Sequence, residues 1–341
     1  MIKMRSETNL TIKDKKTYTE TLNKAKYFVF LFLFISFCIS VVIAASAILK
    51  SGYVSFISAL ASFNPQYFLA AVFVVFLSFN IRFPKWYMFI KRLGVKVSLF
   101  RNYMVYLSLY SMNVTPGRSG RLVASYTLNK VANAPVGRTA PAVVADLFTD
   151  FMGYMIVTVS AALIVGQYLI VSIIASALLL LPFIILFNDS LFKYVKFRIG
   201  KGGKRFKRFF DFGDAYFENT KLINKRTYIK ALVFAVPSEL MSGLALYFII
   251  MGFGVHVMIS PLDFIPLVIF IYSSSVLFGI ISGIPGTIGV TELGILGYLT
   301  LLLQISYPVA AAITILFGLS NLWFTEFAGF GALAYTARYW K

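Results

Sequence analysis

The chain has 341 residues, 59% hydrophobic, 17% aromatic and only 13% charged, with a mean hydropathy of +0.81, which excludes a soluble globular domain and indicates a multispanning membrane protein. Its formal charge of +19 gathers at the ends of the apolar windows, as membrane topology requires, so the partners it implies are membrane lipids and no nucleic acid. A lone cysteine (Cys38) and a lone histidine (His256) exclude a disulfide and a cysteine metal site, make metal chemistry improbable, and leave no cofactor implied.

Residues 1–26 are too polar and too long to be a cleaved signal peptide, and are expected to form a cytoplasmic tail ahead of one transmembrane domain over 27–341. Apolar windows follow near 27–49, 67–81 with an aromatic extension to Ile90, 141–165, 168–187, 228–252, 265–284, 288–303 and 308–337, with a shorter one over 98–115. Arg82, Lys85 and Trp86, at the end of the second window, read as an interface anchor. The loop 188–227 contains "KYVKFRIGKGGKRFKRFFDF", whose interleaved basic and aromatic residues suit the anionic cytoplasmic leaflet.

Lysine and arginine number seven before residue 27, one in 50–66, six in 82–101, none in 166–167, twelve in 188–230, none in 253–264 and two after 337. Basic residues favour the cytoplasmic side, so this alternation places both termini on the cytoplasmic side of a cell membrane, with six full crossings. Two segments, 98–135 and 265–304, must then begin and end on one side as helical hairpins, the first entering from the cytoplasm and the second from outside. Two full spans remain an alternative for 265–304, whereas 121–135 is too polar and short to span.

The hairpins carry "TPGRSG" at 115–120 and "IPGTIG" at 284–289, a shared Pro-Gly-x-x-Gly 169 residues apart. Two copies approached from opposite faces indicate an inverted-topology repeat, about 27–165 and 168–338, in an all-α polytopic bundle. Proline removes a donor and glycine permits positive φ, so the helix unwinds at each copy. Such backbone is tolerated in a bilayer only where protein buries it or a wet cavity receives it, and its freed N–H groups suit an anion.

Pro116, Gly117, Arg118, Gly120 and Arg121 are therefore candidate headgroup-binding residues, together with Pro285, Gly286, Gly289 and Glu292. The arginines supply a fork for phosphate; the plainer alternative leaves them at the cytoplasmic interface. Asp146 and Asp150 lie four apart on one helical face, Glu239 follows Pro237, and Glu326 lies near Asn321. These acids and Glu292 are candidates for coupling or for ion pairs with Arg118, Arg121 or Arg138, since intramembrane carboxylates face a partner or a cavity. No nucleophile with an adjacent base points to a catalytic residue.

In "TPGRSGR", "VVADLFTD" and "SGIPGTIGVTELG" the chain resembles the membrane family typified by the transmembrane region of lysylphosphatidylglycerol synthase, which includes stand-alone members described as flippase-like. The similarity extends over most of the chain from about residue 25. It departs from the family in carrying Arg121 where a glutamate is usual, and Asp146-Leu147 where a Glu-Arg pair is usual. The resemblance implies binding and translocation of an anionic lipid or a lipid-linked phosphate, and no counterpart of the aminoacyl-transferring domain is expected. The competing readings are a membrane enzyme acting on a lipid-linked phosphate or sugar, and a non-transporting accessory protein of lipid assembly.

Overall fold

The computed structural model of the chain describes residues 34, 37–113, 115–191, 193–194, 213–255, 260–284, 287 and 289–338. The N-terminal tail, His256, Pro285, Gly286 and the centre of the basic loop lie outside the described residues, which contain helices and no strand.

Helix α1 (Phe37–Ser51) turns by 117° at Gly52 into α2 (Tyr53–Ala61), a bend that Gly52 makes with a φ of 85°. Next comes α3 (Pro65–Arg92), started by Pro65 and by Asn64, whose side chain accepts from the Gln66 N–H at 3.0 Å. The first hairpin comprises α4 (Leu99–Ser108), two 3₁₀ turns (Leu109–Met112 and Pro116–Leu122) and α5 (Val123–Ala132). It is followed by α6 (Val136–Val165), closed by Gly166 in the left-handed region, and α7 (Leu169–Phe187).

Beyond the basic loop come α8 (Lys225–Gly252), capped by the Asn224 side chain on the Thr227 N–H, and α9 (Pro261–Ile281). The second motif connects α9 to α10 (Val290–Leu301). The last span is α11 (Tyr307–Gly318), a π turn (Leu319–Trp323) and α12 (Phe324–Ala337).

By length and composition, α3, α6, α8, α9 and the run Tyr307–Ala337 suffice to cross a membrane, and the bent pair α1–α2 makes a sixth if it is one broken span. The all-α polytopic bundle expected from the sequence is therefore what forms. The two hairpins differ in their arms: α4 and α5 have ten residues each, about 15 Å, whereas α9 is of crossing length and α10, with twelve residues, reaches about 18 Å. Over 265–304 one arm, α9, is thus long enough to cross and the other, α10, is shorter than a full span. Gln304, in the left-handed region at φ 52°, turns the chain just after α10.

The most extensive helix contact is α3 against α8, where the small residues Ser78 and Ser242 meet at 3.3 Å between their hydroxyls and let the backbones approach. Helix α6 packs on both α8 and α9, and Gly153 lies against the Ala235 backbone. Helix α12 closes over the first 3₁₀ turn through Gly329, where a β-carbon would collide with the Ser111 nitrogen and sit 2.8 Å from the Tyr110 carbonyl carbon.

Gly329→Ala is therefore expected to cost about 1–3 kcal/mol through overpacking. Gly331→Ala, on the same helix but facing open space, should be neutral or slightly stabilising. Thermal unfolding of the two variants in detergent checks this: equal melting temperatures would remove the close approach of α12.

Candidate functional site

Four charges meet inside the bundle. Asp146 and Asp150, one helical turn apart on α6, point together at Lys85 of α3, whose Nζ lies 2.7 Å from Asp146 Oδ1 and 2.7 Å from Asp150 Oδ1. Their other oxygens take Arg121 Nη1 from the second 3₁₀ turn, at 3.2 Å for Asp146 Oδ2 and 2.8 Å for Asp150 Oδ2. Lys85 Nζ also donates to the Asp146 carbonyl at 2.9 Å and to Thr149 Oγ1 at 3.2 Å, and Arg121 Nε donates to Asn113 Oδ1 at 2.7 Å. All four side chains are buried, and their formal charges cancel.

Beside them, Arg82 Nη2 pairs with Glu239 Oε1 at 2.9 Å, and Arg82 Nε donates to Ser238 Oγ at 2.7 Å. Arg82, Lys85 and Trp86 are therefore not an interface anchor: they are 5%, 0% and 0% exposed. The reason is that α3 runs 28 residues, about 42 Å, and α8 and α6 cover its C-terminal half. Of the arginines expected to meet the acids, Arg121 does so. Arg138 instead donates Nε to the Leu93 carbonyl at 2.8 Å, and no described carboxylate pairs with Arg118.

The two motif copies share a local geometry. Arg118 and Thr287 occupy the same position after Pro-Gly, and both adopt the left-handed region, at φ 56° and 59°. Each donates its N–H three residues back, Arg118 to Thr115 O at 2.8 Å and Thr287 to Ile284 O at 3.0 Å. In both copies the final glycine gives its N–H to a side chain: Gly120 to Thr115 Oγ1 at 2.6 Å, and Gly289 to Glu292 Oε2 at 2.7 Å. Left-handed backbone at a residue bearing a side chain costs on the order of 1–2 kcal/mol, so the same strain is held at both tips.

Both tips face one cavity of about 90 Å³, room for several water molecules. The first copy contributes Arg118 and Arg121 with neighbouring Asn113, and the second contributes Thr287, Thr291 and Glu292. Arg118 stacks its guanidinium near the rings of Phe151 and Tyr154, at 5.8 Å and 5.6 Å. Arg121 Nη2 is buried with no hydrogen-bond partner. Arg82, Ser78 and Ser242 close the cavity from the α3–α8 seam, and Asn321 and Thr325 close it from the π turn and α12.

Asp146, Asp150 and Glu239 thus reach the cavity only through the cations they neutralise. Glu326, 3% exposed, lies in α12 outside the lining, with Oε1 unpartnered. For Pro116 and Gly117 the structure gives only backbone, within the 3₁₀ turn. Sequence reasoning passed over Lys85 and Arg82 as site elements; their three-residue spacing, with both on one face of an apolar helix, was the available signal.

Breaking a buried pair by removing one partner costs about 3–5 kcal/mol, because it leaves an uncompensated charge. Lys85→Met should therefore destabilise the protein by that order, and adding Asp146→Asn should restore much of the loss. A double-mutant cycle on unfolding midpoints in detergent measures this; strictly additive losses would show that Lys85 and Asp146 do not interact.

No curated protein matches the chain. A family model described as the lysylphosphatidylglycerol synthase TM region matches residues 33–329, which include both motif copies, the paired aspartates and every cavity-lining residue. With that match over most of its length, the chain belongs to the lysylphosphatidylglycerol synthase transmembrane-region family.

Proposed function

We propose that this protein translocates an anionic lipid across a cell membrane, with the lipid's phosphate passing through the cavity between the two Pro-Gly tips. The observation that carries the reading is the charge balance of that cavity. Lys85, Arg121 and Arg82 are matched by Asp146, Asp150 and Glu239, which leaves two charged groups facing the space without a described ion-pair partner: Arg118, and Glu292, whose Oε2 is occupied by the Gly289 N–H. Arg121 Nη2 is a second donor free to bond an incoming oxygen. Arginine holds a phosphate by charge and by paired hydrogen bonds, and it gains from the low dielectric of a closed interior.

The matching φ values and N–H bonds of the two tips support an inverted repeat, with one tip opening toward each leaflet and both termini cytoplasmic. At about 90 Å³ the cavity is smaller than the 300–1,000 Å³ typical of ligand pockets, so passage of a headgroup requires it to widen. Glu292 braces the second tip through the Gly289 N–H, and Thr287, which accepts from Thr291 Oγ1 at 3.0 Å, keeps its own hydroxyl hydrogen for the headgroup.

Liposomes containing the protein and a headgroup-labelled phosphatidylglycerol, probed with an impermeant quencher, test the proposal without nucleotide. The wild type should expose inner-leaflet label. Losing a charge-assisted bond of about 1.5–3 kcal/mol predicts a ten- to hundredfold slower rate for Arg118→Ala, partly regained in Arg118→Lys. Glu292→Ala should also slow exchange. Full activity in Arg118→Ala, or conversion of the lipid to a new product instead of movement, would overturn the reading.

A further inference from the structure

Away from the central cavity, an open pocket of about 610 Å³ lies where α3 turns into α4. Its walls include Tyr87 and Lys91 at the end of α3, Gly94 and Lys96 in the connecting loop, and Ser98 and Asn102 at the start of α4. Lys91 and Lys96 are exposed and have no described carboxylate within ion-pair distance. The sequence explains why: no aspartate or glutamate occurs between residues 21 and 145.

A third cation backs the loop. Gly94 adopts φ 66°, and a β-carbon there would sit 2.9 Å from Arg138 Nη2, whose guanidinium is fixed by its bond to the Leu93 carbonyl. Helix α4 opens on Ser98 without a side-chain cap, and an uncapped first turn presents backbone N–H groups and the positive end of the helix dipole.

The observation that points to a ligand is Asn102. It is fully buried, and its Oδ1 accepts from Trp86 Nε1 at 2.9 Å. The indole is a donor only, so the amide orientation is determined and Nδ2 is left facing away from Trp86 with no partner. A buried N–H without an acceptor costs about 1–3 kcal/mol, which an anionic oxygen in the pocket would recover.

We propose that this pocket is a second anion site, separate from the central cavity, which binds a phosphate group at the membrane surface through Lys91, Lys96, the α4 N-terminus and Asn102 Nδ2. The phosphate is carried by a lipid headgroup or by a soluble phosphate ester, and the test separates the two. Tyr87, amphipathic and 38% exposed, would lie against the carrier. The proposal is independent of the translocation reading.

A Cys38→Ser, Ser98→Cys protein labelled with an environment-sensitive dye reports occupancy locally. In phosphatidylcholine nanodiscs the signal should shift and saturate as phosphatidylglycerol is added, or as glycerol 3-phosphate is added in solution. The first result assigns a lipid headgroup and the second a soluble ester. Lys91→Gln/Lys96→Gln should weaken the response at least fivefold, and Asn102→Leu at least threefold. The matched charge loss Lys225→Gln/Arg226→Gln, at exposed positions outside the pocket, should leave it unchanged. No shift with either ligand, or equal weakening by the two double variants, would overturn the site.

Discussion

Two carboxylates one turn apart on α6 cannot both remain charged in a hydrocarbon setting unless cations reach them, and Lys85 and Arg121 are the groups that do. Removing four ions from water costs several kcal/mol each, and the closed ring of short contacts offsets much of that cost only if all four are present. The ring also fixes geometry. It ties α3 and α6 to the 3₁₀ turn of the first hairpin, so the position of that hairpin depends on electrostatics rather than on apolar packing alone. The small residues along α3 and α8 then bring Arg82 and Glu239 into a second neutral pair beside the first.

Neutralising the interior in this way sets the polarity of what remains. A cavity walled by matched pairs takes its polarity from its unmatched members, which here are Arg118, the idle nitrogen of Arg121 and the Glu292 carboxylate. The strained backbone at Arg118 and Thr287 aims side chains into the same space from two segments far apart in the chain. Strain at a ligand-facing tip is retained when the surroundings over-determine it. Thr115 and Glu292 supply that restraint by holding the glycine N–H groups.

Much of this was legible in the sequence. Apolar windows gave the long helices, and the repeated Pro-Gly-x-x-Gly marked the two places where helix gives way. The four-residue spacing of Asp146 and Asp150 predicted one face and a cationic partner, and Arg121 is one. Lys85 and Arg82 were misplaced because charge counting assigns every cation near a window's end to the interface, whereas α8 and α6 extend over that part of α3 and bury it. Tyr110, Tyr154 and Tyr272 became visible only in three dimensions, since nothing in their local spacing distinguishes a cavity wall from ordinary core. The second hairpin's runs, read as 265–284 and 288–303, became Pro261–Ile281 and Val290–Leu301, since Pro261 starts the first helix four residues earlier than hydropathy alone suggests.

The π turn at Leu319–Trp323 interrupts the last span where Gly318, Asn321 and Leu322 meet the cavity. A π turn is an α-helix carrying one surplus residue, so its hydrogen bonds reach one residue farther while the helix on either side keeps α geometry. One surplus residue turns the side chains beyond it by roughly 100° about the axis, relative to an unbroken helix. The last span therefore faces the cavity with Asn321 at an angular position that an unbroken α-helix would assign to a different residue.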